Sequence, residues 1–244
     1  MKLNTLDIVS IIMSKKIKTV KSKDELLSLL SSITKGKDLL KEWIDLDPIY
    51  VGKRTKASYV ESIHKHLIAS TEEISIDGHW CEFGVREGRS LKWLIEKHPH
   101  QVIHAFDSWE GLPEDWDHGT GKVADMSCDP PDVPEHIQLH KGWFKDTLPT
   151  WKLSNKGPIA FLHMDADIYS STKQVLLALN EQIVPGTVIT FDELCNFRLS
   201  AKMSRWQEQE FLALVEWLEE CGRKVKPLNS CLLYTSDAAD EVLG

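Results

Sequence analysis

Glu82-Phe83-Gly84-Val85-Arg86-Glu87-Gly88-Arg89-Ser90 sits at the exit of a short apolar run, 80–83, and at the entrance of an amphipathic one, 90–97. An apolar run of strand length followed by helical spacing predicts strand, turn and helix. Gly84 and Gly88 bracket the turn. Without Cβ atoms they let a ligand lie against the backbone, and the helix N-terminus beyond them offers unpaired N–H groups. Asp107 closes the next apolar run, His104-Ala105-Phe106-Asp107, nineteen residues after Gly88. A carboxylate at that point can accept both hydroxyls of a ribose.

The turn is not a dinucleotide fingerprint. G-x-G-x-x-G would need a first glycine at position 82, where this chain has Glu82, so a dehydrogenase is disfavoured. A carboxylate beside the turn repels a pyrophosphate but suits a cofactor carrying a free ammonium group, which points to S-adenosylmethionine. The plainer alternative is a tight strand-to-helix turn with an ion-paired glutamate.

Outward from this stretch, short apolar runs at 80–83, 102–106, 137–139, 159–164 and 188–191 predict five strands. Helix candidates lie at 90–97, 171–182 and 203–221, and 224–228 can open a sixth strand. Such alternation implies a mainly parallel α/β sheet with right-handed crossovers and helices on both faces. Upstream, residues 1–73 read as a helical appendage. It holds one or two amphipathic helices before Asp47-Pro48 and another over 56–70, with Tyr59, Ile63 and Leu67 on one face. The segment 108–135, rich in Pro, Gly and Asp, is long for a loop and is read as a lid over cofactor and acceptor.

Asp165 ends the fourth predicted strand, and Asp192-Glu193 ends the fifth. A crossover between adjacent parallel strands brings these acids to one sheet edge, where open α/β sheets bind ligands. Three unpaired carboxylates there repel one another unless a cation joins them, and an all-oxygen set fits Mg²⁺ or a similar hard divalent ion. The competing reading is helix caps and surface acids; Asp167 is assigned to that class, capping the helix that follows. His104, His140 and His163 are read as buried histidines, with His163, two residues before Asp165, the one placed to do more.

Taken together, Glu82-x-Gly84-x-x-x-Gly88-x-Ser90, Phe106-Asp107-Ser-Trp-Glu-Gly-Leu-Pro113, Lys141-Gly-Trp-Phe144 and Asp165-Ala-Asp-Ile-Tyr-Ser-Ser-Thr172, with Pro185-Gly186 and Asp192-Glu193, resemble the macrocin O-methyltransferase family over about residues 50–230. The resemblance implies a Rossmann-like class I methyltransferase that methylates sugar hydroxyls with Mg²⁺. It also implies S-adenosylmethionine bound around Glu82, Gly84, Gly88, Ser90, Asp107 and Ser108, with the adenine near Gly142 and Trp143. Asp165 would serve as metal ligand and general base, with Asp192 and Glu193 as the remaining ligands. Relatives often have Asp-Asp where this chain has Asp192-Glu193. The implied partner is a hydroxyl acceptor on a small molecule or glycan, and homo-oligomers are compatible with it. A metal-independent small-molecule methyltransferase and a non-catalytic nucleotide-binding protein stay open as alternatives.

Composition bounds the rest. The chain has 244 residues, 42% hydrophobic and 27% charged, which is ordinary for a globular protein. Its net charge of −8 disfavours nucleic-acid binding. No apolar stretch is long enough to span a bilayer, and five scattered cysteines without a C-x-x-C pair suggest neither a disulfide framework nor a zinc knuckle. A reducing cytoplasm is the expected compartment. The segment 231–244 resembles a translated sequencing adapter, so the methyltransferase domain is drawn at 74–230 and the C-terminal β-hairpin is expected to stop after its first strand.

Overall fold

The computed structural model describes residues 56–116, 121–192, 194, 208–229 and 232–236. The elements, in chain order, are α1 (Lys56–Glu72), β1 (His79–Phe83), α2 (Arg89–Lys97), β2 (Ile103–Asp107), β3 (Ile137–Lys141), α3 (Phe144–Ser154), β4 (Ile159–Met164), α4 (Tyr169–Leu179), β5 (Ile183–Phe191), α5 (Glu210–Cys221), β6 (Lys224–Asn229) and β7 (Leu232–Ser236). The helices expected before residue 48 lie outside the described residues.

The strands form one sheet in the order β3-β2-β1-β4-β5-β7-β6. The first five run parallel, and β7 pairs antiparallel with both β5 and β6. The strand order reverses between β1 and β4, and there two neighbouring loops leave the C-terminal edge in opposite directions and open a crevice. The expected α/β sheet, mainly parallel with helices on both faces, is therefore observed.

Alternating side chains feed two apolar cores. On one face Cys81, Phe83, Phe106, Leu162 and Met164 pack with Leu148 and Trp151 of α3, Val175, Leu176 and Leu179 of α4, and Phe211, Leu214 and Trp217 of α5. On the other, Trp80, Ile103, Ala105, Phe161 and Val188 pack with Leu91 and Leu94 of α2 and with Leu67 of α1. Through Leu67, α1 docks directly on the sheet.

Three expectations change. Helix α3 was not foreseen, because Pro149 lies inside it and proline argues against a helix interior; the buried Leu148 and Trp151 hold the helix on the sheet. Strand β5 begins at Ile183 and carries Pro185-Gly186 within it, so it is longer than 188–191. The hairpin does not stop after β6. Residues 232–236 return as β7, with Val188 opposite Tyr234 and Val225 opposite Thr235, because a strand there satisfies the backbone groups that β5 would otherwise leave open.

Trp217 is fully buried, and its Nε1 donates to Asn180 Oδ1 at 3.0 Å, tying α5 to the end of α4. Trp217→Ala is expected to lower unfolding free energy by about 3–5 kcal/mol, read from urea denaturation.

Candidate functional site

At the C-terminal edge the parallel ladder continues one step past the strands. Asp165 N donates to Phe83 O (2.8 Å), Asp192 N to Met164 O (2.9 Å) and Gly84 N to Phe106 O (3.0 Å). These bonds align Gly84, Asp165 and Asp192 along the rim of the crevice. Gly84 has φ +90°, and a Cβ there would collide with the carbonyl oxygen of Asp165. A glycine is required where β1 and β4 approach this closely.

The crevice encloses a cavity of about 660 Å³, a size typical of small-molecule sites. Of the residues singled out from sequence, Gly84, Ser90, Asp107, Ser108, Gly142, Trp143, Asp165 and Asp192 line it. Gly88 stands behind the lining in a left-handed turn (φ +76°) against Pro131, where it opens α2. Glu82 lies beneath the lining and is fully buried; its Oε1 accepts from Ser90 Oγ and from His163 Nδ1 (3.2 Å). Glu193 lies outside the described residues.

Asp107 acts as a clasp. Its Oδ2 accepts from Val85 N (2.9 Å) and Arg86 N (2.8 Å), and its Oδ1 from Trp109 N (2.7 Å). One carboxylate thereby fixes both the first turn and the root of the long loop. Trp109 Nε1 donates back to Arg86 O at 2.9 Å and closes the link. Gly142 N reaches Asp107 O at 2.9 Å, so the β3 exit, with Trp143 and Phe144, joins the same rim.

The long loop supplies part of the wall. Leu112 and Trp116 pack on Ile168, with Met126 against them, and Ser170 Oγ donates to Glu114 Oε1 at 2.7 Å. Leu112, Pro113, Trp116 and Met126 all face the cavity, the position expected of a lid.

Asp167 does not cap the helix that follows it. Helix α4 starts at Tyr169 with Ile168 at its N-cap position and no side-chain cap. Asp167 instead lines the cavity, in a left-handed conformation (φ +61°). Burial, together with neighbouring Asp192, pushes its carboxyl up to about 7, against a smaller opposing pull from Arg86. Burial and the charges of Asp192 and Asp167 hold Asp165 well above the usual carboxylate range. Burial also raises Asp192, with His163, Arg89 and His66 drawing it back. The available signal was the D-x-D spacing itself, which on an irregular strand exit can turn both acids into one cavity. Arg86, Trp93, Ser171 and Gln174 line it as well and were not anticipated.

Among the described residues no three His, Cys, Asp or Glu side chains are grouped as a metal site. Asp165 and Asp192 nevertheless offer hard oxygen donors from adjacent strand ends, the donor chemistry that Mg²⁺ takes. Among the described residues no helix is long and apolar enough to cross a membrane.

Residues 81–194 match the family model described as "Methyltransferase domain". Among curated proteins, the chain is 24% identical over 157 residues to mycinamicin III 3''-O-methyltransferase of Micromonospora griseorubida, covering 54% of this chain and 61% of that protein. It is 27% identical over 143 residues to demethyldecarbamoylnovobiocin O-methyltransferase of Streptomyces niveus, covering 49% and 53%. The chain thus spans a little over half the length of these relatives. In structure it is similar to CalS11, the calicheamicin methyltransferase, with TM-score 0.58, 18% identity and coverage of 97% and 95% of the two chains. An apo structure of CalS11, titled a TDP-rhamnose 3'-O-methyltransferase, matches with TM-score 0.52 at 20% identity, covering 96% and 93%. The Rossmann-like methyltransferase fold is shown, and the relatives to which the sequence is similar are themselves named O-methyltransferases.

The pH response of the cluster can be isolated by difference. Asp167 binds its proton more tightly folded than unfolded, so its contribution to stability is present below about pH 4 and is lost as pH rises through about 7. Asp167→Asn, which tolerates the left-handed backbone, is expected to gain in Tm over the parent increasingly between pH 4 and 7. Thermal unfolding of metal-free protein across that range is the check.

Proposed function

We propose that this chain is an S-adenosylmethionine-dependent O-methyltransferase acting on a hydroxyl of a sugar, in a glycan or a glycosylated natural product, with a divalent cation such as Mg²⁺ assisting. The observation that carries the reading is one cavity at the switch point of the sheet. It is bordered on one side by the Gly84–Ser90 turn and on the other by three convergent carboxylates. The named activities of the relatives agree with it.

The residues divide the work. The Gly84 turn, Ser90, Asp107, Ser108, Gly142 and Trp143 would hold the cofactor, which supplies a methyl group on a positively charged sulfur. The lid strip of Leu112, Trp116 and Met126 would exclude water and press the acceptor toward the carboxylates. Transfer would form an oxygen–carbon bond as the carbon–sulfur bond breaks, with neutral S-adenosylhomocysteine leaving and the hydroxyl proton released, and a sugar hydroxyl is too weak an acid to lose that proton unaided. Asp165 and Asp192, with Glu193, would hold the cation, which lowers the pKa of a coordinated hydroxyl. Asp165 is also a candidate base. A second candidate is favoured by Asp167, whose carboxyl, pushed up to about 7, is matched to proton transfer near neutrality. Alignment of oxygen, carbon and sulfur is the remaining contribution of the protein. The reading places the protein in a reducing compartment such as the cytoplasm.

Asp165→Asn and Asp167→Asn separate the roles. With a sugar acceptor, the variant that removes the base should lose about 10²- to 10⁴-fold in kcat while retaining affinity for S-adenosylhomocysteine. Full activity in both would overturn the carboxylate assignment. Chelation should abolish turnover and added Mg²⁺ restore it; turnover unaffected by chelator would remove the cation from the mechanism.

A further inference from the structure

Beneath the rim of Gly84, Asp165 and Asp192 lies a second polar row that the proposed chemistry does not use. Glu82 on β1 is in register with His163 on β4, and His163 with Thr190 on β5. All three are buried, at 0%, 2% and 3% exposure. Neither Glu82 nor His163 lines the cavity, whereas Ser90 does. Glu82 Oε1 accepts from Ser90 Oγ on one side and His163 Nδ1 (3.2 Å) on the other, while Glu82 Oε2 has no partner among the described residues.

A buried acid held this way is expensive. Taking it out of water carries a desolvation cost that two hydrogen bonds to one oxygen only partly offset, and an apolar side chain of similar volume is often as stable or more so. The arrangement does, however, join two parts of the site. Ser90 belongs to the first turn of α2, which follows the Gly84–Gly88 loop. His163 is two residues before Asp165 on the strand that carries the acid.

We propose that Glu82 is a positioning residue. Through Ser90 and His163 it locks the cofactor turn to the β4 strand end, setting the spacing between the methyl donor and the Asp165 carboxylate. It does not act as a direct ligand of the cofactor. This rests on the reading of the cavity as the S-adenosylmethionine site. It makes His163, which does not touch the cavity, a determinant of cofactor affinity.

The test is calorimetric titration of the full chain with S-adenosylhomocysteine in a double-mutant cycle of Ser90→Ala and His163→Gln. Each single variant is expected to weaken binding about fivefold, and the double variant no further than the weaker single, a coupling of about fivefold between residues that share a partner. In a Glu82→Met background the cycle becomes additive. Glu82→Gln, which keeps an acceptor oxygen for both partners, preserves the coupling. Thermal unfolding separates positioning from mere packing, because Glu82→Met should hold or raise Tm while weakening binding about tenfold. Additive effects in the parent background, or a fall in Tm that tracks the loss of affinity, would overturn the inference. A parent chain that binds no S-adenosylhomocysteine would overturn the function itself, an outcome distinct from additivity.

Discussion

The close approach of β1 and β4 at Gly84 is the constraint on which the site depends. The two strands can meet at the Asp165 backbone only because position 84 has no side chain. That contact brings the proposed cofactor turn, which begins at Gly84, directly against the strand end that carries Asp165 and Asp167. The same junction is where the strand order reverses, so the crevice and the convergent carboxylates coincide for a topological reason. Asp107 then fixes the turn from the other side, spending its carboxylate on three backbone N–H groups.

The second constraint is electrostatic. Asp165, Asp167 and Asp192 are drawn together by strand ends that the sheet holds rigid, and burial raises all three. A fold selected for stability alone would not gather them. Their cost is met by the two apolar cores, which enclose the strands on both faces. The division leaves a stable scaffold and a destabilised edge, an arrangement common where binding energy is needed at one place.

Much of this was legible in the sequence, and the failures have physical causes. Strand ends were legible at β1, β2, β4 and β5 because each apolar run stops at a residue that prefers turns or open edges, Gly84, Asp107, Asp165 and Asp192, whereas the run of β3 fades at Leu139, two residues before the strand ends at Lys141. Helix α3 was not, because Pro149 outweighs the short apolar pair Leu148 and Trp151 in any local reading. Asp167 was read as a cap because Asp after a strand and before a helix usually is one, and only the left-handed turn of the backbone redirects it. Glu82, expected from its place beside the turn either to hold the cofactor or to be ion-paired, lies buried beneath the cavity lining. Its partner His163 stands 81 positions away, and no local pattern reveals that pairing. The return strand β7 was missed because 232–236 was set aside as foreign sequence, yet its residues pair with β5 and β6.

The central claim is that one cavity holds both a methyl donor and a cation-assisted hydroxyl acceptor. A crystal structure of the full chain grown with S-adenosylhomocysteine and Mn²⁺ tests it most directly. The account predicts the ligand between the Gly84–Ser90 turn and Trp143, with an anomalous peak bounded by Asp165 and Asp192. Ligand density elsewhere on the molecule, or a Mn²⁺ peak remote from those two carboxylates, would contradict it.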